Sequence, residues 1–297
     1  MICSISENTL KQYSPCIKDW ITYCHTNQIS TIKANIPEII KYFTKKFNEG
    51  MSYGSLNSLR SALSLFLGSH IGTDHNIKRL FKGFFRLRPC APKYDYTWNV
   101  SEVLEYIENV YASCDNLEIC SKKTVTLLVL ATGHRAQTIC AIDIDLIKIE
   151  SNVVHIKVAK LVKTSAPNRL QPFIRLPFFN DRPFICPARA VIDYLNMTKS
   201  IRKDCKNLFL SYREPYKPVT VSTISRWIKT VLQESGIDIN TFSAHSTRHA
   251  STSTALKRGV SIDEIRRTAG WTDSSSCFAR FYNRPVRNVS FAEAVFS

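Results

Sequence analysis

What this sequence is short of is negative charge. Its 297 residues hold 24 Asp and Glu against 40 Lys and Arg, and 40 − 24 leaves a formal charge of +16. That is more than solubility needs, and its sign attracts nucleic acid or an anionic membrane. The surplus is not gathered at one end. Residues 1–90 carry 12 basic and 5 acidic side chains, or +7, and the remainder 28 and 19, or +9. Both halves are basic, as expected if both touch one long polyanion, whereas a basic tail would concentrate the charge. Also missing is any apolar run near the ~20 residues that span a bilayer, and the opening "MICSISENTLKQYSPCIKDW" lacks the basic-then-apolar order of a signal peptide. A membrane partner therefore falls behind nucleic acid. The ten cysteines include no CxxC pair, and several lie in apolar segments such as "TICAIDI" and "RPFICPA". They read as reduced, mostly buried thiols of an intracellular protein, not as a disulfide framework. There is no internal repeat and no low-complexity tract.

What is there suffices for two domains, since 44% of the residues are apolar and the length gives each half room for a core. Leu10, Tyr13, Ile17, Trp20, Ile21 and Cys24 recur at spacings of three and four, which predicts an amphipathic helix over residues 6–27 with a kink at Pro15. A second helix fits "NIPEIIKYFTKKFNEG", with Pro37 in its first turn and Gly50 at its end. A third fits "SLNSLRSALSLFLG" and a fourth "DHNIKRLFKGFF". Four helices without a strand pattern predict an all-α domain over residues 1–87. Residues 86–98, "RLRPCAPKYDYTW", have two prolines, three basic residues and no period, so a linker is expected over 88–98. A second domain, 99–297, opens with the Ser-capped "SEVLEYIENVYASC" and a buried helix, "SKKTVTLLVLATG", closed by Gly133. In "NVVHIKVAKLVKTSAPNRLQPFIRLP" the β-branched content predicts two or three short antiparallel strands. The rest is helical apart from "NLFLS". The fold class is mostly α with a small antiparallel sheet, in two domains.

The densest chemistry lies in "SAHSTRHASTSTALKRG". His245, Arg248 and His249 fall in what reads as the first turn of a helix, where positive charge is repelled. Such a cluster has to face a metal ion or an anion. Zinc would suit imidazoles at i and i+4, but the metalloprotease pattern needs Glu after the first His, where Ser246 stands, and Arg248 between the rings opposes a dication. Phosphate suits the whole set better.

From His245 onward the chain reads H-x-x-R, a helix ending in Gly259, "SIDEIRRTAGW", then "CFARFYNRP". Upstream, "LLVLATGHRAQTICAIDI" places Arg135 just after a helix-ending glycine. This order resembles the tyrosine recombinase (phage integrase-like) family over almost the whole chain. The segments "RPCAPKYDYTWNVSEVLEYI" and "TAGW…FARFY" look most like recombinases of eukaryotic mobile elements of the Crypton and DIRS kind. The resemblance implies an all-α core-binding domain and an α+β catalytic domain that clamp double-stranded DNA. It implies a homotetrameric synapse in the nucleus, and no metal, cofactor, ATP or small-molecule substrate.

It also implies roles for Arg135, Lys163, His245, Arg248, Trp271 and Tyr282. Breaking a phosphodiester without a metal needs a nucleophile, fixed positive charge for the phosphoryl oxygens and an acid for the leaving oxygen. Arg135 and Arg248 can fork onto non-bridging oxygens. His245 can donate to the same phosphate or take the tyrosine's proton. Lys163, in "KLVKTSAP", matches the lysine that protonates the leaving 5′ oxygen, with Lys160 as competitor. Trp271, after Gly270, can offer its indole N–H while its ring packs under the tyrosine. Tyr282 is the only tyrosine after Tyr216, and its aryl oxygen both attacks and leaves well. Tyr111 and Tyr194 read as packing residues, and His249 as packing or support.

Two features depart from the family pattern. Thr138 stands where an acid commonly holds the first arginine, and the eleven residues from Trp271 to Tyr282 exceed the commonest spacing, to be absorbed at "TDSSS". The tail "VRNVSFAEAVFS" has an apolar face that packs either on its own domain or on a neighbouring protomer. Two further readings stay open: a topoisomerase IB-like nicking and closing enzyme, and a domesticated DNA-binding protein without catalysis.

Overall fold

The computed structural model describes residues 5–89, 93–163, 165–167, 169–272, 278 and 282–285. The chain divides into two compact units, Met1–Pro92 and Lys93–Ser297. Among the described residues no helix is long and apolar enough to cross a membrane.

The first unit is helical: α1 (Glu7–Asn27), α2 (Ile36–Asn48), α3 (Tyr53–Leu67), the single turn α4 (His70–Thr73) and α5 (His75–Leu87). Ser6, Asn35, Ser52 and Asp74 each accept a backbone N–H from the first turn that follows them. At α2 this becomes a reciprocal capping box with Glu38, worth about 1 kcal/mol. α1 runs through Pro15 as one 21-residue element. The proline lies on its exposed side, where water can serve the carbonyl left without an N–H. The short α4 was not expected from the sequence, because a single turn carries no period. The core is aromatic, with Trp20, Tyr42, Phe43, Phe81 and Phe84 buried and the Phe47 and Phe84 rings stacked at 4.3 Å. α5 buries Ile77, Phe81 and Phe84 and leaves His75, Lys78, Arg79, Lys82 and Arg86 exposed along one shallow cleft.

The second unit contains α6 (Val100–Val110), α7 (Leu117–Thr132), α8 (Ala136–Cys140), β1 (Ile147–Ile149), β2 (Val153–Lys157), β3 (Phe173–Pro177), α9 (Pro187–Thr198), α10 (Val221–Glu234), α11 (Ser246–Lys257) and α12 (Ile262–Thr268). The sheet is antiparallel in the order β1-β2-β3. Its register pairs Val154 with Leu176 and Ile156 with Ile174, so these four buried residues share one face, turned to the core. α7 is buried on nearly all sides, packed by α9, α10 and α11. Of its buried polar groups, Lys123 Nζ donates to the Ala112 carbonyl and Thr124 Oγ1 to that of Ala190.

The stretch read as linker is mostly taken up by the two units. Arg88 donates to the Phe47 and Met51 carbonyls of the first unit. Tyr94 and Trp98 are buried in the second, each 4% exposed. Tyr94 pairs with the Ser243 hydroxyl at 2.8 Å, and the Trp98 indole donates to Ser246 Oγ at 2.9 Å. A segment with no period can still be core when its aromatic rings find polar partners for their tips.

Candidate functional site

Three turns of chain converge in the second unit. α7 ends at Gly133, whose left-handed φ of +60° turns the chain into His134 and Arg135. A Cβ at Gly133 would stand 3.3 Å from both Thr252 and Ala269 side chains, so α11 and α12 pack directly on this turn. The second turn is the start of α11, where Ser246, Thr247, Arg248 and His249 are all buried. The third is Gly270, also left-handed at φ +71°, where a Cβ would stand 3.3 Å from the His134 ring. Small and hydroxylated residues in "STRHASTSTALK" let α11 approach its neighbours closely. Hydroxyls serve backbone groups inside, as in Thr252 Oγ1 to the Arg248 carbonyl at 2.6 Å.

Arg248 is 1% exposed. Its Nη1 donates to the carbonyls of Gly133 and, at 2.7 Å, Ala269. Its guanidinium carbon lies 3.7 Å from the Trp271 ring centre and 5.3 Å from that of Tyr282. Part of the fork that the sequence reading reserved for phosphate is thus spent on fixing the residue, which still lines a cavity of about 240 Å³ with His134, Arg135, Gln137 and His245. A buried guanidinium bound by carbonyls and an aromatic face is a charge that does not reorganise.

Tyr282 is set against this group. Its hydroxyl is 2.9 Å from His245 Nε2, and its ring stacks on His249 at 4.2 Å and meets Trp271 edge-on at 4.8 Å. The Ser253 hydroxyl donates to the Tyr282 carbonyl at 2.7 Å and accepts the Arg284 N–H at 3.1 Å. The Thr97 N–H donates to the Pro285 carbonyl at 2.9 Å. His249 therefore packs, as expected. Among the described residues no third His, Cys, Asp or Glu joins the two histidines to make a metal-binding group.

Desolvation, then the charges of Arg248, Arg135, Lys93 and Lys163, push the pKa of His245 down to about 4. The residue remains exposed, so the four cations are the more durable cause. Burial, then Arg248 and Arg135, push His134 down to about 4 as well. At neutral pH both imidazoles are uncharged, and His245 can accept the phenolic proton that faces it.

Arg135 is half-buried at the N-terminal end of α8. Among the described residues it makes no ion pair, and Thr138 is buried beside it and donates its N–H to the Arg135 carbonyl at 2.9 Å. Lys163 is exposed in the 158–172 connection between β2 and β3. Its N–H donates to Gln137 Oε1 at 3.2 Å, two residues from Arg135. Lys160 is also exposed, and its charge bears on Cys140. Tyr111 and Tyr194 are buried on Glu234 and on Leu210. Most of "TDSSS" and the tail from 286 lie outside the described residues.

Sequence reasoning left His134, Ser253, Tyr94 and Trp98 without a part in the site. His134 was adjacent to a chosen arginine. Ser253 had no signal, because one hydroxyl in a Ser/Thr run looks like any other.

Fold and site together define a mostly helical two-unit protein in which a cavity lined by His134, Arg135, His245 and Arg248 adjoins a tyrosine hydroxyl that faces His245. The chain belongs to the phage integrase family, whose model matches residues 100–287. Solved structures share the fold. A lambda integrase dimer bound to a COC′ core site is 18% identical at a TM-score of 0.56, covering 97% of this chain and 93% of that one. The Tn1549 transposon integrase in complex with transposon right end DNA is 14% identical at 0.61, covering 98% and 93%. XerH bound to its difH substrate is 15% identical at 0.58, covering 83% and 66%. No curated protein matches.

Proposed function

We propose that this chain is a site-specific DNA recombinase of the transposon type, which cuts and rejoins strands through a 3′-phosphotyrosine intermediate without metal or ATP. The observation that carries the reading is the Tyr282 hydroxyl 2.9 Å from His245 Nε2, beside a buried, immobilised Arg248. In this reading the scissile phosphate enters the cavity lined by Arg135, His245 and Arg248. Tyr282 Oη attacks phosphorus as His245 takes its proton. Arg135 and Arg248 hold the charge that grows on the non-bridging oxygens, Trp271 backs the tyrosine, and Lys163 protonates the leaving 5′ oxygen. The phosphotyrosine keeps the energy of the broken bond, so a 5′ hydroxyl reverses the step. The charge of Lys163 acts on His245, which favours it over Lys160.

Both units are basic and both contact duplex DNA, with steep salt dependence. The DNA in the lambda, Tn1549 and XerH complexes supports that partner. The Crypton and DIRS likeness in "RPCAPKYDYTWNVSEVLEYI" and "TAGW…FARFY" supports a mobile element and a nuclear location, and the resemblance to the recombinase family supports a tetrameric synapse.

The test is denaturing gel analysis with nicked duplexes made from the ends of the chain's own element, in EDTA. Wild type gives a protease-sensitive adduct, and Tyr282→Phe gives none while binding equally well. Adduct from Tyr282→Phe would remove the nucleophile from this position, and none from either protein would leave a DNA-binding relic. Relaxation of supercoiled plasmid without paired sites would favour a nicking and closing enzyme.

A further inference from the structure

We propose that Arg169 is a positioning residue that ties the lysine loop to the corner beneath Tyr282, so that the acid and the nucleophile assigned above share one mount. The inference rests on that assignment. β2 ends at Lys157 and β3 begins at Phe173, and the connection between them carries Lys163 on an exposed stretch. A long, flexible side chain on a long loop is a poor acid unless the loop is fixed, since proton transfer needs the donor within hydrogen-bond reach of the leaving oxygen.

The described residues show how it is fixed. At the near end, the Lys163 N–H reaches Gln137. Within the loop, the Val162 N–H donates to Ser165 Oγ at 2.9 Å, which donates to Gln171 Oε1 at 2.8 Å. At the far end, Arg169 Nη2 crosses to the Gly270 carbonyl at 3.1 Å.

Gly270 is no arbitrary anchor. The preceding carbonyl, Ala269, accepts Arg248 Nη1. The next residue, Trp271, lies on the Arg248 guanidinium and against the Tyr282 ring. The glycine itself is packed under His134, next to Arg135. Two guanidiniums from distant parts of the chain thus occupy consecutive carbonyls just past the end of α12, where unpaired C=O groups attract cations. The corner joins the Arg135 turn, the Arg248 helix and the tyrosine, and Arg169 adds the lysine loop. Without Arg169 the loop keeps its tether near Arg135 but loses the one to the corner. Protonation of the leaving group should then suffer while attack does not.

That difference can be read directly. In ordinary DNA, Tyr282 Oη bonds to phosphorus, the P–O5′ bond breaks, and O5′ takes a proton from Lys163 Nζ. With sulfur at the bridging 5′ position, the P–S bond breaks to a stable thiolate and no proton is needed. The substrates are nicked duplexes with oxygen or sulfur at the phosphate that wild type cleaves. Arg169→Ala should slow adduct formation on the oxygen substrate by about tenfold or more, a fraction of what a whole general acid supplies. On the sulfur substrate it should stay within about threefold of wild type, as Lys163→Ala should too, with DNA affinity and melting temperature nearly unchanged. Arg169→Lys, which keeps a cationic donor, should recover part of the loss. Equal slowing on both substrates would make Arg169 a support of the tyrosine side alone. Weaker affinity with a shallower salt dependence would make it a DNA phosphate contact, and no slowing would leave it without a role; each overturns the proposal. If wild type forms no adduct at all, the recombinase reading falls first and this inference with it. If wild type reacts and Arg169→Ala matches it on both substrates, only this inference falls.

Discussion

Both units of this protein are rich in cations, but they keep them in opposite ways. In the first, among the described residues, no polar or charged side chain is buried, and the basic residues of α5 are exposed to water on the face opposite its aromatic core. In the second, Lys123, His134, Arg202, Arg248 and His249 are all buried. A solvated cation costs little and is screened by salt. A buried one costs several kcal/mol to desolvate, so the fold has to hold it with fixed partners. Burial alone does not mark chemistry. Arg202 spends its guanidinium on the Asn207 and Leu208 carbonyls and the Thr198 hydroxyl, and Lys123 caps the Ala112 carbonyl; both are staples. Arg248 differs because it is held from one side and faces a cavity from another. Attraction to a polyanion and chemistry on one phosphate thus ask opposite things of a positive charge.

The sharpest way to break that comparison is to remove a held charge and a half-exposed one in parallel. Arg135→Ala and Arg248→Ala should each cost about 10²- to 10³-fold in strand cleavage, since each deletes a preorganised donor. Only Arg248→Ala should also destabilise the unit, by roughly 2–4 kcal/mol, because it strands two buried carbonyls and leaves a hole against Trp271. Cleavage rates on bound DNA and thermal melts separate the two effects. Equal melting of both variants would mean that the burial of Arg248 is incidental to the fold.

Protonation offers a gentler probe. His134 is held below its ordinary 6.5, at about 4, so the unfolded chain takes up a proton that the folded one refuses. The contribution is intact above about pH 6.5 and is lost as pH falls toward 4, by up to about 3 kcal/mol if the full difference is expressed. His134→Leu should flatten the acid side of a stability–pH curve measured by denaturant titration. An unchanged slope would show that other groups set it. His245 pulls the same way but is exposed and contributes less. Bound phosphate should raise its pKa, because an anion would offset part of its cationic surroundings.

How much of this was legible in the sequence follows the same division. α1, α2, α3 and α5 bury one apolar stripe each, so their periods announced them. α11 does not: it is buried by small hydroxylated residues with no stripe, and only His245 and Arg248 mark it. Arg135, Lys163, Trp271 and Tyr282 are likewise marked by order along the chain, and the fold brings His245, Arg248, Trp271 and Tyr282 into contact. Unreadable were the fixings: Ser253 under the tyrosine, the two carbonyls on Arg248, Tyr94 and Trp98 at the start of α11. These are single hydrogen bonds between residues far apart in the chain, or hydroxyls inside a Ser/Thr run, and neither leaves a pattern in one sequence. Shape complementarity decided them, and it exists only after folding.

The smallest expected effect belongs to the solvated cations, and it tests the comparison from the other end. Lys78 and Lys82, one turn apart on α5 and both exposed, should act through counterion release if the first unit holds DNA as proposed. Lys78→Ala with Lys82→Ala should lower the slope of log affinity against log salt by about 0.9 for each phosphate that is no longer neutralised, alike on every sequence tested. Cleavage of DNA already bound should not change, because neither lysine lines the cavity beside Tyr282. Titrations at several salt concentrations and single-turnover cleavage at saturating protein read the two quantities separately. A fall in cleavage as deep as that of Arg135→Ala would show that the first unit's charges shape the reacting phosphate. The division between attracting and reacting cations would then have to be drawn by contact with DNA instead of by burial.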